Sequence, residues 1–184
     1  ETSFKDYSGF DNNASCSVGS CPTAGITDTP SGKGYSLSFN GINNYVYVSL
    51  DVSEENFTIE LWLKTSSPNV GVFHIAGNTT PCVNGHDRHF YLQNGKACHR
   101  VWQGSGWCTN TKVSDGKWHH WVLSVATGVG QKVYIDGKEV GSNPYDHSDF
   151  IWQTHVIIGN SCDVSSDYFN GLIDEVHIYE DALT

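Results

Sequence analysis

KWHHWVLSVATGVGQKVYIDGKEVG, residues 117–141, decides the fold. Trp118 to Val125 is aromatic and β-branched enough to run extended, Gly128 and Gly130 break the run, and Val133-Tyr134-Ile135 starts another. Asp136-Gly137 is a two-residue turn of the kind that favours positive φ at its centre, so a tight hairpin into Glu139-Val140 is predicted. Alternation places Trp121, Leu123 and Val125 on one face and Val122 and Ser124 on the other, so one face meets a core.

The chain on either side repeats this pattern. FTIELWLK (57–64) alternates cleanly: Phe57, Ile59, Leu61 and Leu63 share one face, and Thr58, Glu60, Trp62 and Lys64 the other. Trp62 on the polar face is either packing for a second layer or a platform for a ligand, and packing is the expectation. Leu37-Ser38-Phe39 and Tyr45 to Val48 read as strands around Asn-rich turns, Val70 to Ala76 as a buried strand, and His89–Leu92 with Ala97–Trp102 as a hairpin about Asn94-Gly95. Residues 1–34, 77–88 and 143–153 read as loops. No window sustains a helical period, so an all-β domain of two antiparallel layers over residues 1–184 is expected.

The 184 residues suffice for one full core, and 10 basic against 20 acidic residues leave a formal charge of −10. That balance argues against a nucleic-acid partner, which needs a basic face. No apolar run approaches the ~18 residues of a membrane span. The acidic surplus fits either a solvated surface or calcium, which takes oxygen ligands.

Six cysteines scattered through a β-rich chain point to disulfides and an oxidising compartment, hence a secreted or cell-surface protein. Cys16 and Cys21 are spaced to close a small loop; the other four cannot be paired from sequence. The rival reading is a metal site drawn from Cys82, His86, His89 and Cys98-His99, but no CxxC is present to support it. In the first loop Asp6, Ser8, Asp11, Asn12 and Asn13 offer oxygens to a hard cation, or form a solvated Asx-rich turn. Asn13, Asn56 and Asn78 begin N-x-S/T sequons.

Four stretches, in order, together resemble the laminin-G-like, concanavalin-A-like jelly rolls of secreted and cell-surface proteins: LSFNGINNYVYV (37–48), NFTIELWLK (56–64), KWHHWVLSV with VYIDGKEVG (117–141), and IIGN with FNGLIDEVHIYEDALT (157–184). The resemblance implies a two-sheet jelly-roll sandwich. It also implies a structural calcium (Ca2+) between the N-terminal loop, here DYSGFDNNA (6–14), and the strand IDEVHIY, with Asp6, Asn12 and Asp174 as ligand candidates. Asp11 and Ala14 depart from the family's pattern, replacing glycines. Family members open with a strand that would precede Glu1, so the first strand is expected to be missing. The edge so exposed would invite another copy or a flanking domain.

Catalysis is not expected. Glu60 has no acidic partner on its own strand face, alternation sends Asp174 and Glu175 to opposite faces, and no GxSxG elbow occurs. The functional expectation is a non-catalytic carbohydrate-binding or adhesion module, its partner a carbohydrate or glycoprotein. Sugar-contact candidates lie in the aromatic loops: His86, Asp87, Arg88, Arg100, Trp102, Trp107, Tyr145 and Asp146. The alternative is a self-assembling subunit of an extracellular filament or matrix.

Overall fold

A computed structural model describes residues 2–83, 85–101, 104–146, 151–164 and 167–183. Every regular element among them is a strand: β1 (Ser3–Phe4), β2 (Ala14–Ser15), β3 (Thr23–Ile26), β4 (Ser36–Asn40), β5 (Val46–Ser49), β6 (Phe57–Lys64), β7 (Val70–Ala76), β8 (His86–Gln93), β9 (Lys96–Arg100), β10 (Trp107–Lys112), β11 (Trp118–Ala126), β12 (Gly130–Ile135), β13 (Lys138–Asn143), β14 (His155–Ile158) and β15 (Asn170–Tyr179). They form an eight-stranded sheet, β1-β2-β5-β14-β7-β8-β9-β10, and a seven-stranded sheet, β13-β12-β11-β6-β15-β4-β3, in which every pairing is antiparallel. The two-layer jelly-roll sandwich is the architecture the sequence implied. At one edge of the eight-stranded sheet lies β1, only two residues long.

The core follows from alternation. Phe57, Ile59, Leu61 and Leu63 of β6 and Trp121, Leu123 and Val125 of β11 are all fully buried, facing Phe73, Ile75, Phe90 and Leu92 of the other sheet. The Asp136-Gly137 turn is as predicted, with φ of 53° and 75°, and Asn94-Gly95 repeats it at 53° and 77°. Gly71 has a different reason for being glycine. A Cβ there would lie 2.2 Å from the Asp167 carbonyl oxygen and the Ser161 nitrogen, so the backbone at Ser161 and Asp167 can lie directly on β7.

Two departures from the sequence reading have physical causes. Residues 86–88 belong to β8 rather than a loop, because Asp87 and Arg88 are buried with partners instead of being solvated. Residues 1–34 hold three short strands that pair at sheet edges. All six cysteines are in disulfides, Cys16–Cys21, Cys82–Cys162 and Cys98–Cys108, so the cysteine-ligated metal site is excluded.

Leu61 lies at the centre of the core, on a strand paired on both sides. Leu61→Ala should lower stability by about 2–5 kcal/mol, the usual cost of a buried leucine cavity. The check is the urea midpoint; a loss below about 1 kcal/mol would contradict this placement of β6.

Candidate functional site

The structure separates the sugar-contact candidates of the loops. Asp87 and Arg88 have no solvent exposure, and the expectation that they meet a ligand is corrected. The Arg88 guanidinium donates to the Val52 and Ser53 carbonyl oxygens at 2.7 Å each and lies over the Phe57 ring, with Asp87 3.8 Å away. A buried cation demands such partners, so these two residues anchor the 52–53 segment to the sheet. Burial also pulls the Arg88 pKa below its ordinary value. Trp107 rests on the core and donates its Nε1–H to Gln131 Oε1 at 3.0 Å; Gln131 in turn donates to the Tyr145 carbonyl oxygen at 2.9 Å. Asp146 accepts the Gly128 N–H at 2.6 Å. His86 and Arg100 are half-buried on the neighbouring strands β8 and β9 of the eight-stranded sheet. Trp102 lies outside the described residues.

The calcium candidates are also distributed. Asp6 and Asn12 share the β1–β2 loop, where the Asp6 carboxylate accepts the Ser8 N–H (2.8 Å), the Ser8 hydroxyl (2.6 Å) and the Asn12 N–H (2.9 Å). Those bonds, that from the Ser8 hydroxyl foremost, hold its pKa below the ordinary carboxylate value. Asp174 belongs to the other sheet. It pairs with Trp62, and its neighbour Ile173 faces the core. Desolvation raises the pKa of Asp174.

The outward face of the seven-stranded sheet carries a more concentrated group. Strands β11, β6 and β15 lie side by side, with His120 opposite Trp62 and His177 opposite Glu60. The Trp62 and His120 rings stack, with centroids 5.0 Å apart and 24° between planes. Beside them Glu60 accepts the Tyr179 hydroxyl at 2.8 Å, and its carboxylate lies 3.0 Å from His120 Nε2 and 3.3 Å from His177 Nδ1. A bulge in β15 sets Glu175 and Val176 together against Leu61, and Glu175 takes a left-handed φ of 47°. The alternation expected through Asp174-Glu175 therefore breaks. Glu175 joins Glu60, Trp62, His120 and His177, with Pro30 and Ser31, in lining a groove of about 300 Å³. Nearby, Asp28 accepts the Trp118 indole N–H at 2.8 Å and pairs with Lys64, which holds its pKa down. A flat aromatic surface edged by carboxylates and imidazoles can stack the C–H face of a ring and accept its hydroxyls. Glu60 and Trp62 were visible in the alternation of FTIELWLK; what sequence reasoning lacked was which strands would flank them.

A laminin-G-type model of the Concanavalin A-like lectin/glucanases superfamily matches residues 40–184. The chain belongs to that superfamily. Among solved structures, this superfamily member is similar to the binding domain of Paraclostridial Mosquitocidal Protein 1, with a TM-score of 0.69 and 18% identity over 100% of this chain and 49% of that one. It is also similar to domain 4 of AbnA, a GH43 extracellular arabinanase from Geobacillus stearothermophilus, solved with arabinotriose (TM-score 0.59, 23% identity, 88% of this chain and 77% of that one). Domains LG4-5 of the mouse laminin alpha1 chain match with a TM-score of 0.63 and 15% identity over 92% of this chain and 46% of that one. The chain thus spans about half the length of the Paraclostridial and laminin structures. At these identities the likeness is one of fold. Among curated protein sequences, none matches significantly.

This superfamily member also buries imidazoles. Trp121 donates its indole N–H to His99 Nε2 at 2.9 Å between the sheets, while His74 and His89 stack 5.5 Å apart on the far side of the eight-stranded sheet. Burial pulls His99 down to about 3 and His74 to about 4, and holds His89 well below its ordinary value. These histidines are neutral when folded near pH 7, whereas the unfolded chain binds protons from about pH 6.5 downward. Their contribution is fully present above that pH and is lost as pH falls toward the folded values, at up to about 1.4 kcal/mol per pH unit for each histidine. The urea midpoint should therefore be nearly level above pH 7 and fall from about pH 6.5 to 4.5; a midpoint flat or rising over that lower range would contradict the burial of these rings.

Proposed function

We propose that the chain is a non-catalytic carbohydrate-binding module of an extracellular protein, and that it takes its sugar on the outward face of β6, β11 and β15. The observation that carries this reading is the Trp62–His120 stack fixed beside Glu60. Three neighbours already hold the Glu60 carboxylate, so the aromatic platform is ordered before any ligand arrives, which lowers the cost of binding. The fold supports the reading: several similar structures are binding domains, and one was solved with an arabino-oligosaccharide. Three disulfides fit an oxidising compartment. A structural calcium at the Asp6–Asn12 loop is proposed as a separate feature; the third ligand candidate, Asp174, stands on the opposite sheet.

Titrating arabinotriose and a panel of other oligosaccharides by calorimetry should find a binder. Trp62→Ala should weaken it about tenfold or more, roughly 1.4 kcal/mol, with little change in melting temperature. No new reducing ends should appear on prolonged incubation. Binding that survives Trp62→Ala and fails in Trp107→Ala would move the sugar to the loops and overturn the assignment. For calcium, adding the ion to chelator-treated protein should raise the melting temperature in the wild type and not in Asp6→Ala; identical melting with and without the ion would end that part of the proposal.

A further inference from the structure

The other sheet carries a group of side chains that the sugar reading does not use. His86 and His89 lie on β8 and Asp163 on the segment that follows the Cys82–Cys162 disulfide. One ligand atom of each lies within 4.8 Å of the others. We propose that His86 Nδ1, His89 Nε2 and a carboxylate oxygen of Asp163 form a binding site for a divalent transition-metal ion of the zinc class.

The distances suit such an ion. Tetrahedral zinc with ligands at about 2.0–2.1 Å holds neighbouring ligand atoms about 3.3 Å apart. Here His86 Nδ1 and His89 Nε2 are 2.9 Å apart, His89 Nε2 and Asp163 Oδ2 are 4.0 Å apart, and all three ligand atoms lie within 4.8 Å of one another, so side-chain adjustments of about an ångström bring them into range. The back of the site is built. His89 is fully buried and its Nδ1 lies 2.9 Å from the Ser161 hydroxyl, a contact that orients the ring with Nε2 toward His86 and Asp163. His74 stacks on the same ring and anchors through its Nδ1, 3.1 Å from the Asn160 carbonyl oxygen. The Cys82–Cys162 disulfide fastens the chain next to Asp163.

These acceptors already converge on one cation. Arg100 holds Asp163 through two guanidinium nitrogens, one of them 2.6 Å from Oδ1, and that same nitrogen is 3.3 Å from His89 Nε2. A guanidinium that bridges an imidazole lone pair and a carboxylate marks where positive charge is favoured. The Arg100 side chain is one-fifth exposed, and it must swing outward for a metal to take its place. Two imidazoles favour zinc, copper or nickel over calcium. Three protein ligands leave a fourth position for water or an oxygen of a bound molecule.

The test is a zinc titration of chelator-treated, full-length protein at pH 7.5, competed against a chromophoric chelator. One zinc per chain is expected, and calcium should not displace it. His86→Ala, which alters a half-buried side chain, should weaken binding at least about tenfold, and Asp163→Asn should do so as well. Cobalt should give the visible absorption of a tetrahedral site in the wild type and lose it in His86→Ala. Equal zinc affinity in wild type and His86→Ala, or binding below one ion per chain, would overturn the assignment. Trp62→Ala should bind zinc like wild type, so failure of the sugar reading leaves this result unaffected.

Discussion

A strand with a hydrogen-bonded neighbour on each side can place its side chains only inward or outward, and β6 uses both directions. Pairing with β11 and β15 holds its register from Phe57 to Lys64. Every inward residue then fills the core, while Glu60 and Trp62 are set in the outward row between His120 and His177. A slip of one residue would drive Glu60 and Trp62 into the core and Leu61 into solvent, so the stability of the sandwich and the geometry of the groove rest on the same register. The β15 bulge adds what alternation alone could not, turning Glu175 into the groove without moving Ile173 or Ile178 off their partners.

The eight-stranded sheet solves a different problem. Its outward face is covered by the segments around Cys82 and Cys162, so β7 is buried throughout its length. Charged and imidazole side chains trapped there must find partners, which explains the Arg100–Asp163 pair and the chain of histidines. Burial keeps those imidazoles neutral, and their lone pairs remain available as acceptors or ligands near neutral pH. One sheet thus offers an open aromatic face and the other a covered polar one.

Much of the fold was legible because its strongest signals are local. Alternation in FTIELWLK and WHHWVLSV, and the Asp136-Gly137 and Asn94-Gly95 turns, needed nothing beyond neighbouring residues, and the ordered motifs identified the jelly roll. The start of β8 was not legible, since His86, Asp87 and Arg88 look solvated until the covering segments are in place. Candidate site residues were harder still. Trp62 stood out as a platform or packing residue, yet its partners come from strands some 60 and 110 positions away in the chain. The bulge at Glu175 reverses a facing that strict alternation predicts. Asp163 carried no signal, because only the packing of Ser161 and Asp167 against Gly71 brings it near the β8 histidines.

Strands β6, β11 and β15 form the most rigid part of the molecule, since an ordered outward row requires strands that do not open. Native-state amide hydrogen exchange, resolved by residue, tests it. The inner amides of β6 and β11 should exchange only through global unfolding, with β1 and β3 at the sheet edges exchanging far sooner. Amides of β6 that open as readily as those of β3 would contradict the account.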